Sequence, residues 1–274
     1  MKDRWKRTSL LSASVAFILA ATGCGNDPVP ITCKPRALLY DHDSITYSYM
    51  GGKIRTVSYY VSGRQTNQDD LTYNLSGQLS TIAKSVIEID GTMDVQAHHT
   101  LSYDIAGRPS TLLTDAVSGH FETTFTHNEQ GQLATAETKA GIQQQSFLGS
   151  TRYEYDSDGN IPNVYYTLNI NRQRVEKLAR ENLSFDDQGK FYFNSEELKV
   201  LNEYVYGYLP TKNNCLSSVI HYYDYTQHFT TPLEISFVAT YNDKGQIQSL
   251  QTEGPNTQLY SGEVLFKNIL YDCR

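Results

Sequence analysis

Apolar residues along this chain alternate with polar ones far more often than they recur at helical spacing. In Leu233-Glu-Ile-Ser-Phe-Val-Ala-Thr-Tyr241, the residues Leu233, Ile235, Phe237, Ala239 and Tyr241 share one face. That period of two is the signature of a half-buried β-strand. Asn242-Asp-Lys-Gly245 follows, and Gln246-Ile-Gln-Ser-Leu250 then alternates again. Asn and Asp bond their own backbone two residues on, and Gly reaches positive φ without steric cost. The segment therefore predicts a hairpin whose short loop places Gly245 in the left-handed region.

The same pattern recurs through the chain. The cores are Tyr73-Asn-Leu-Ser-Gly77, Tyr103-Asp-Ile-Ala-Gly107, His127-Asn-Glu-Gln-Gly131, Tyr155-Asp-Ser-Asp-Gly159, Phe185-Asp-Asp-Gln-Gly189 and Tyr241-Asn-Asp-Lys-Gly245. Each reads aromatic, Asn or Asp, two polar or small residues, Gly, a polar residue, then usually an apolar one. A looser copy ends at Gly52, and a degenerate one, Tyr208 to Cys215, lies in the one long gap. Taking 52, 77, 107, 131, 159, 189, 215 and 245 as turn markers gives spacings of 24 to 30 residues. A period of that size marks a repeat architecture. Eight hairpin units predict about 16 antiparallel strands in one all-β domain over residues 36–274. Open sheets beyond about ten strands tend to curl, and closure removes exposed edges. The expectation is a long hairpin meander, strongly curled or barrel-like.

These cores resemble the YD repeat of bacterial RHS and wall-associated proteins, best at Tyr155-Asp156 with Gly159 and Tyr103-Asp104 with Gly107. The resemblance covers most of residues 40–255 and implies one long, curling antiparallel sheet. The units here are longer than the usual one of about 20 residues, and the core that precedes RHS toxin domains is not visible. Ala21-Thr22-Gly23-Cys24, near the start of the chain, resembles a bacterial lipobox, and its combination with repeated hairpins is similar to uncharacterised lipoproteins of Bacteroidota with a porin-like or curled β-sheet.

The lipobox lies at the start of the chain. Lys2, Arg4, Lys6 and Arg7 precede an apolar run from Leu10 to Ala21, and Ala21-Thr22-Gly23-Cys24 follows. A basic start, a short apolar stretch and small residues are the features of a secretory signal, and the run is too short to span a bilayer comfortably. The tetrad resembles the bacterial lipobox, which implies cleavage after residue 23 and acylation of Cys24. Residues 24–35 then read as the lipidated Cys and a stiff tether, with Gly25-Asn-Asp-Pro-Val-Pro30. The implied location is the bacterial envelope, outer membrane first, with the membrane reached through lipid on Cys24.

Composition sharpens this picture. Of 32 aromatic residues, 21 are Tyr, whose polar tip suits half-wet sheet surfaces. The formal charge is −7, and removing residues 1–23 takes four basic residues and one acidic one, leaving −10. An acidic chain lacks the basic patches that nucleic-acid backbones require. Strands such as Arg172-Gln-Arg-Val-Glu-Lys are too polar for the lipid-facing wall of an integral porin.

Few residues point to chemistry. Asp156-Ser-Asp158-Gly-Asn160 begins like a calcium loop, but Ile161 and Thr167 stand where an EF-hand needs Gly and Glu, so it reads as a repeat turn. His98 and His99 are adjacent and would face opposite sides of a strand. His120, His127, His221 and His228 show no metal-ligand spacing either, so no metal or cofactor is expected. Asp69-Asp70, Asp186-Asp187 and Glu196-Glu197 are adjacent carboxylates in turns or on solvated faces, and no nucleophile motif or phosphate loop occurs. Tyr47/Tyr49, Tyr59/Tyr60, Tyr153/Tyr155, Tyr165/Tyr166, Tyr204/Tyr206/Tyr208 and Tyr222/Tyr223/Tyr225 fall mostly in expected strands, where they pack across the sheet or stack a sugar or peptide. Beyond Cys24, Cys33, Cys215 and Cys273 remain. A Cys33–Cys273 bridge would clasp the two ends of the sheet, and pairings with Cys215 stay open from sequence. The leading expectation is a non-enzymatic envelope lipoprotein that binds or presents a glycan, peptide or envelope protein. A polysaccharide-acting enzyme with acids inside the curl, and a purely structural or assembly role, are the alternatives.

Overall fold

The computed structural model describes residues 33–141, 146–170, 173–190, 195–221, 232–243, 245–253 and 266–273. The signal segment, Cys24, the first part of the tether, Tyr222/Tyr223/Tyr225 and His228 lie outside these residues. The strands are β1 (Cys33–Leu39), β2 (Asp43–Met50), β3 (Lys53–Val61), β4 (Arg64–Tyr73), β5 (Leu79–Ile87), β6 (Met93–Tyr103), β7 (Pro109–Ala116) and β8 (Gly119–His127). They continue as β9 (Leu133–Ala140), β10 (Ser146–Glu154), β11 (Asn163–Ile170), β12 (Gln173–Gly189), β13 (Asn213–Ile220), β14 (Leu233–Tyr241), β15 (Ile247–Glu253) and β16 (Asn268–Cys273).

All sixteen form one antiparallel sheet in which β1 to β15 follow chain order and β16 lies on the outer side of β1. The sheet curls until its edges nearly meet. Leu250 and Phe266 exchange backbone hydrogen bonds of 3.0 and 2.8 Å across the seam. Because β16 sits between β1 and β15, Cys33 pairs in register with Cys273 on a neighbouring strand. A bridge there would join the first and last strands of the chain, not the edges of the sheet, which are β15 and β16.

Each repeat residue has a physical task. The Asn or Asp after the aromatic residue accepts from the amide four residues on, as in Gln78 N to Asn74 Oδ1 at 2.9 Å and Arg108 N to Asp104 Oδ1 at 2.9 Å. Asp156 accepts from Asp158 and Asn160 in the same way, so its oxygens serve the turn. Gly77, Gly107, Gly131, Gly159 and Gly245 have φ between 73 and 86°. That is the left-handed region a Cβ disfavours. The apolar position two residues after Gly fills the barrel: Ile54, Leu79, Leu133 and Ile247 are all buried.

The aromatic residue latches one unit to the one before. Tyr49, Tyr73, Tyr103 and Tyr155 donate their hydroxyls to the carbonyls of Pro35, Ile54, Leu79 and Leu133 at 2.6 to 2.9 Å. Tyr271 on β16 does the same to Ile247 on β15 at 3.0 Å, so the seam repeats the geometry of the other units. The polar residue after Gly reaches the other way: Gln78 Nε2 donates to the Gly107 carbonyl at 3.1 Å, and Lys53 Nζ to that of Gly77. We expect Tyr103→Phe to lower the unfolding free energy by about 1 kcal/mol, the net worth of one such bond. Urea unfolding with an unchanged m-value would show it, and a shift below about 0.3 kcal/mol would refute the latch.

The sixth hairpin, β12–β13, departs from the expectation. Gly189 is not at a left-handed turn; it closes β12 and pairs with Asn213. Nor is Cys215 a turn marker. It pairs with Phe185, the relation that Tyr73 has to Leu79, and it is buried. Asp186 accepts from Asn214 N at 3.1 Å, where sister turns use the residue four positions on. The markers at 189 and 215 thus belong to one unit, opened by an insertion.

The insertion is a plug. It holds α1 (Glu196–Lys199), capped by Ser195 and continued by a π-helical segment over Val200–Val205. Tyr204 lies in that segment and Tyr206 and Tyr208 just after it, not in strands. Leu198 and Leu201 are fully buried in the same cluster as Leu71, Ile82, Leu101 and Leu112 from the sheet.

Candidate functional site

Two of the cavities beside the plug are large. One lies toward the repeat turns, the other toward the opposite rim formed by the turns after β3, β5 and β7.

The chamber at the opposite rim has a volume of about 570 Å³ and is lined by strands β2 to β6 and the plug. Its centre is Asp69, which is 1% exposed on β4. Asp69 Oδ2 accepts from Tyr206 of the plug at 2.6 Å, and the single hydroxyl proton of Tyr59 on β3 is shared between Asp69 Oδ2 at 3.0 Å and the Tyr206 oxygen. The two hydroxyls are 2.7 Å apart and share a bond. Burial, and the carboxylate beside them, hold both phenols well above their usual range. Lys84 Nζ stands 4.9 Å from the Tyr206 ring centroid, within cation–π reach. Tyr47, Tyr208, Asn67 and Gln96 complete the wall.

This cluster is assembled from distant parts of the sequence, Asp69 and Tyr206 being 137 positions apart. The alternation of β4 places Asp69 and Leu71 on the inner face together, which explains why an acidic residue points inward. Asp69 appeared in the sequence only as half of an adjacent pair on a solvated face; the structure separates the pair. Asp70 lies on the other face, beside Thr56 and Gln68.

The chamber at the turn end has a volume of about 730 Å³ and is bounded by the turns after β8 and β10 and by Tyr204. Glu203 lines it, is 3% exposed, and leaves Oε1 without a hydrogen-bond partner. Burial pushes its carboxyl up to about 8, against the pull of Lys199 and Lys190. Tyr204 shares a 3.0 Å hydrogen bond with His127 Nε2 and packs edge-on against Phe125 at 5.0 Å. His127 occupies the aromatic position of its repeat, so here the residue holds the plug.

His99 is on the inner face of β6, bonded through Nδ1 to Thr114 at 2.8 Å. Burial, with Lys84 and His98 nearby, pushes it down to about 4, so it stays neutral at pH 7. Among the described residues, no group of three or more His, Cys, Asp or Glu side chains gathers as a metal site would require. Cys33 is disulfide-bonded, and Cys215 is a buried cysteine in hydrogen-bond contact with the Ser217 carbonyl and Ser218 Oγ.

Sequence reasoning missed both Glu203 and the Asp69–Tyr59–Tyr206 cluster. The available signal was the long interval between Gly159 and Gly245, in which strand alternation lapses over Glu196–Tyr206.

No family model matches the sequence, and no curated protein matches it. Solved structures give low-level likenesses. The TcdB2-TccC3 chain without its hypervariable C-terminal region is 16% identical, with a TM-score of 0.35, over 84% of this chain and 9% of that one. A Bacteroides fragilis protein of unknown function is 12% identical, with a TM-score of 0.21, over 49% of this chain and 88% of its own. A porin-like protein from Bacteroides uniformis is 11% identical, with a TM-score of 0.46, over 89% of this chain and 96% of that protein.

Proposed function

We propose that this chain is a lipid-anchored protein of the bacterial envelope whose plugged barrel binds a glycan in the chamber around Asp69. The observation that carries this reading is the make-up of that chamber. Tyr47, Tyr59, Tyr206 and Tyr208 supply ring surface and hydroxyls, and Asn67, Lys84 and Gln96 supply hydrogen-bonding tips. Ligand pockets combine a mainly apolar or aromatic wall with a few fixed polar groups. Sugars, apolar on the faces of their rings and polar at the edges, suit such a wall. Its volume, about 570 Å³, is in the range of small-molecule sites.

A binding role fits better than hydrolysis. Glycosidases set two carboxyl groups roughly 5–10 Å apart across one scissile bond. Here the buried carboxyls Asp69 and Glu203 line different chambers, one on each side of the plug.

Titration calorimetry of the mature chain against malto-, cello- and chito-oligosaccharides and muropeptides tests the reading. Lys84→Ala and Gln96→Ala should each weaken glycan binding about tenfold, equivalent to about 1.4 kcal/mol, with thermal unfolding little changed. Binding that survives both substitutions, or heat evolved only with muropeptide stems, would overturn it.

A further inference from the structure

The barrel has two rims of different character. All turns that follow even-numbered strands, including those at Gly52, Gly77, Gly107, Gly131 and Gly159, lie at one rim. β1 begins at this same rim, since Lys34, its second residue, donates through Nζ to the Gly52 carbonyl. The segment from Cys24 therefore enters the fold here, with eight residues between Cys24 and Cys33. At most, eight or nine residues extend about 30 Å.

This rim also carries apolar tips that the turns do not need. Leu75 and Ile105 follow Asn74 and Asp104 in adjacent hairpins and are fully exposed; Met50 is exposed at the next turn along. The equivalent position in sister turns is Glu129, Ser157 or Asp243. Turn chemistry is thus satisfied by polar residues, and among the described residues nothing covers these apolar tips.

We propose that this rim rests on the lipid bilayer, with Leu75, Ile105 and Met50 inserted among the headgroups, and that the Asp69 chamber consequently opens away from the membrane. The occupant is a lipid surface because the tether leads from the same rim to the acylated Cys24. The inference rests on the anchored reading of Cys24 made above. The opposite rim has exposed Val61, Ile89, Met93 and Val117 as well, so the apolar tips alone do not choose between the rims; the place where β1 begins does. Short reach and a fixed exit point make the turn rim the one that meets the surface, and a few apolar tips add shallow attachment to the acyl anchor.

Trp5, the one tryptophan of the sequence, lies in the segment removed before Cys24, so the mature chain gives a clean background for single-tryptophan variants. The full-length chain carrying Leu75→Trp, Ile105→Trp, Ile89→Trp or Val117→Trp is expressed and reconstituted in phosphatidylcholine vesicles with brominated acyl chains. Emission from the first two should shift to the blue and lose intensity to the bromines, while the last two keep solvent-like emission. Vesicle-bound protein with solvent-like emission at positions 75 and 105, or equal quenching at both rims, would overturn the proposal. Labelled palmitate on the wild-type chain, lost in Cys24→Ala, reads the anchor separately. Should no label appear, the anchored reading fails, and the variants are remade on residues 24–274, which lack Trp5, and coupled through Cys24 to a maleimide lipid. The same contrast between rims then decides whether this face meets lipid.

Discussion

Replacing Cys273 by Ser should lower the unfolding free energy of the mature chain by about 5 kcal/mol, the largest effect expected of any single substitution. Cys33 is disulfide-bonded and lies in register opposite Cys273 on the adjacent strand, whereas Cys215 sits on β13 opposite Phe185. A Cys33–Cys273 bridge closes a loop of roughly 240 residues, and the chain entropy removed from the unfolded state grows with the logarithm of loop length. The bridge also secures β16, which is six residues long and whose loss would expose the outer side of β1 as a new edge. Unfolding in guanidinium with and without reductant measures the effect. Peptide mapping without reduction should return a Cys33–Cys273 peptide, and a free Cys273 thiol would sink the assignment.

A second large effect concerns pH. Glu203 is protonated in the folded barrel up to about pH 8, whereas in the unfolded chain it ionises near the ordinary value of 4.5. Between those two values the native state holds a proton that the unfolded state has released. Stability therefore falls as pH rises through this window, with the favourable state complete below about 4.5. The slope is at most about 1.4 kcal/mol per pH unit. Glu203→Gln keeps the shape and removes the titration, so it should be more stable than the parent at pH 8 and close to it at pH 4.5. Urea midpoints of both chains across that range provide the measurement. Parallel pH profiles would show that the carboxyl is solvated or paired.

Most of the fold was legible before any coordinates. Alternation at Leu233–Tyr241 and the Asn-x-x-Gly turn that follows define a hairpin from local physics alone. Repeating that unit leads to a curled all-β sheet of about 16 strands, and the sheet has 16. Gly189 and Cys215, two turn markers by spacing, belong to a single hairpin in the fold. The unit at Phe185-Asp186 is split by an insertion, and β1 and β16, paired with each other, supply the two strands that an eighth hairpin would have provided. A local pattern cannot tell a degenerate turn from an interrupted one, because both look like polar residues near a missing glycine.

The Tyr residues show the same division. Their recurrence was read as cross-strand packing, with sugar stacking as the alternative. The structure adds a hydroxyl-to-carbonyl bond from one repeat to the previous one, as in Tyr103 to Leu79. Three others, Tyr204, Tyr206 and Tyr208, belong to the plug region and build the chambers.

By itself the sequence determined the hairpin, its repetition and the charge of the chain, since alternation and turn chemistry act within about a dozen residues. Only the tertiary structure decided where the curl meets itself, what fills it, and that Asp69 shares a proton network with a tyrosine 137 positions away. Those outcomes depend on shape closure and on burial of polar groups far apart in the chain. Neither is encoded in any one repeat.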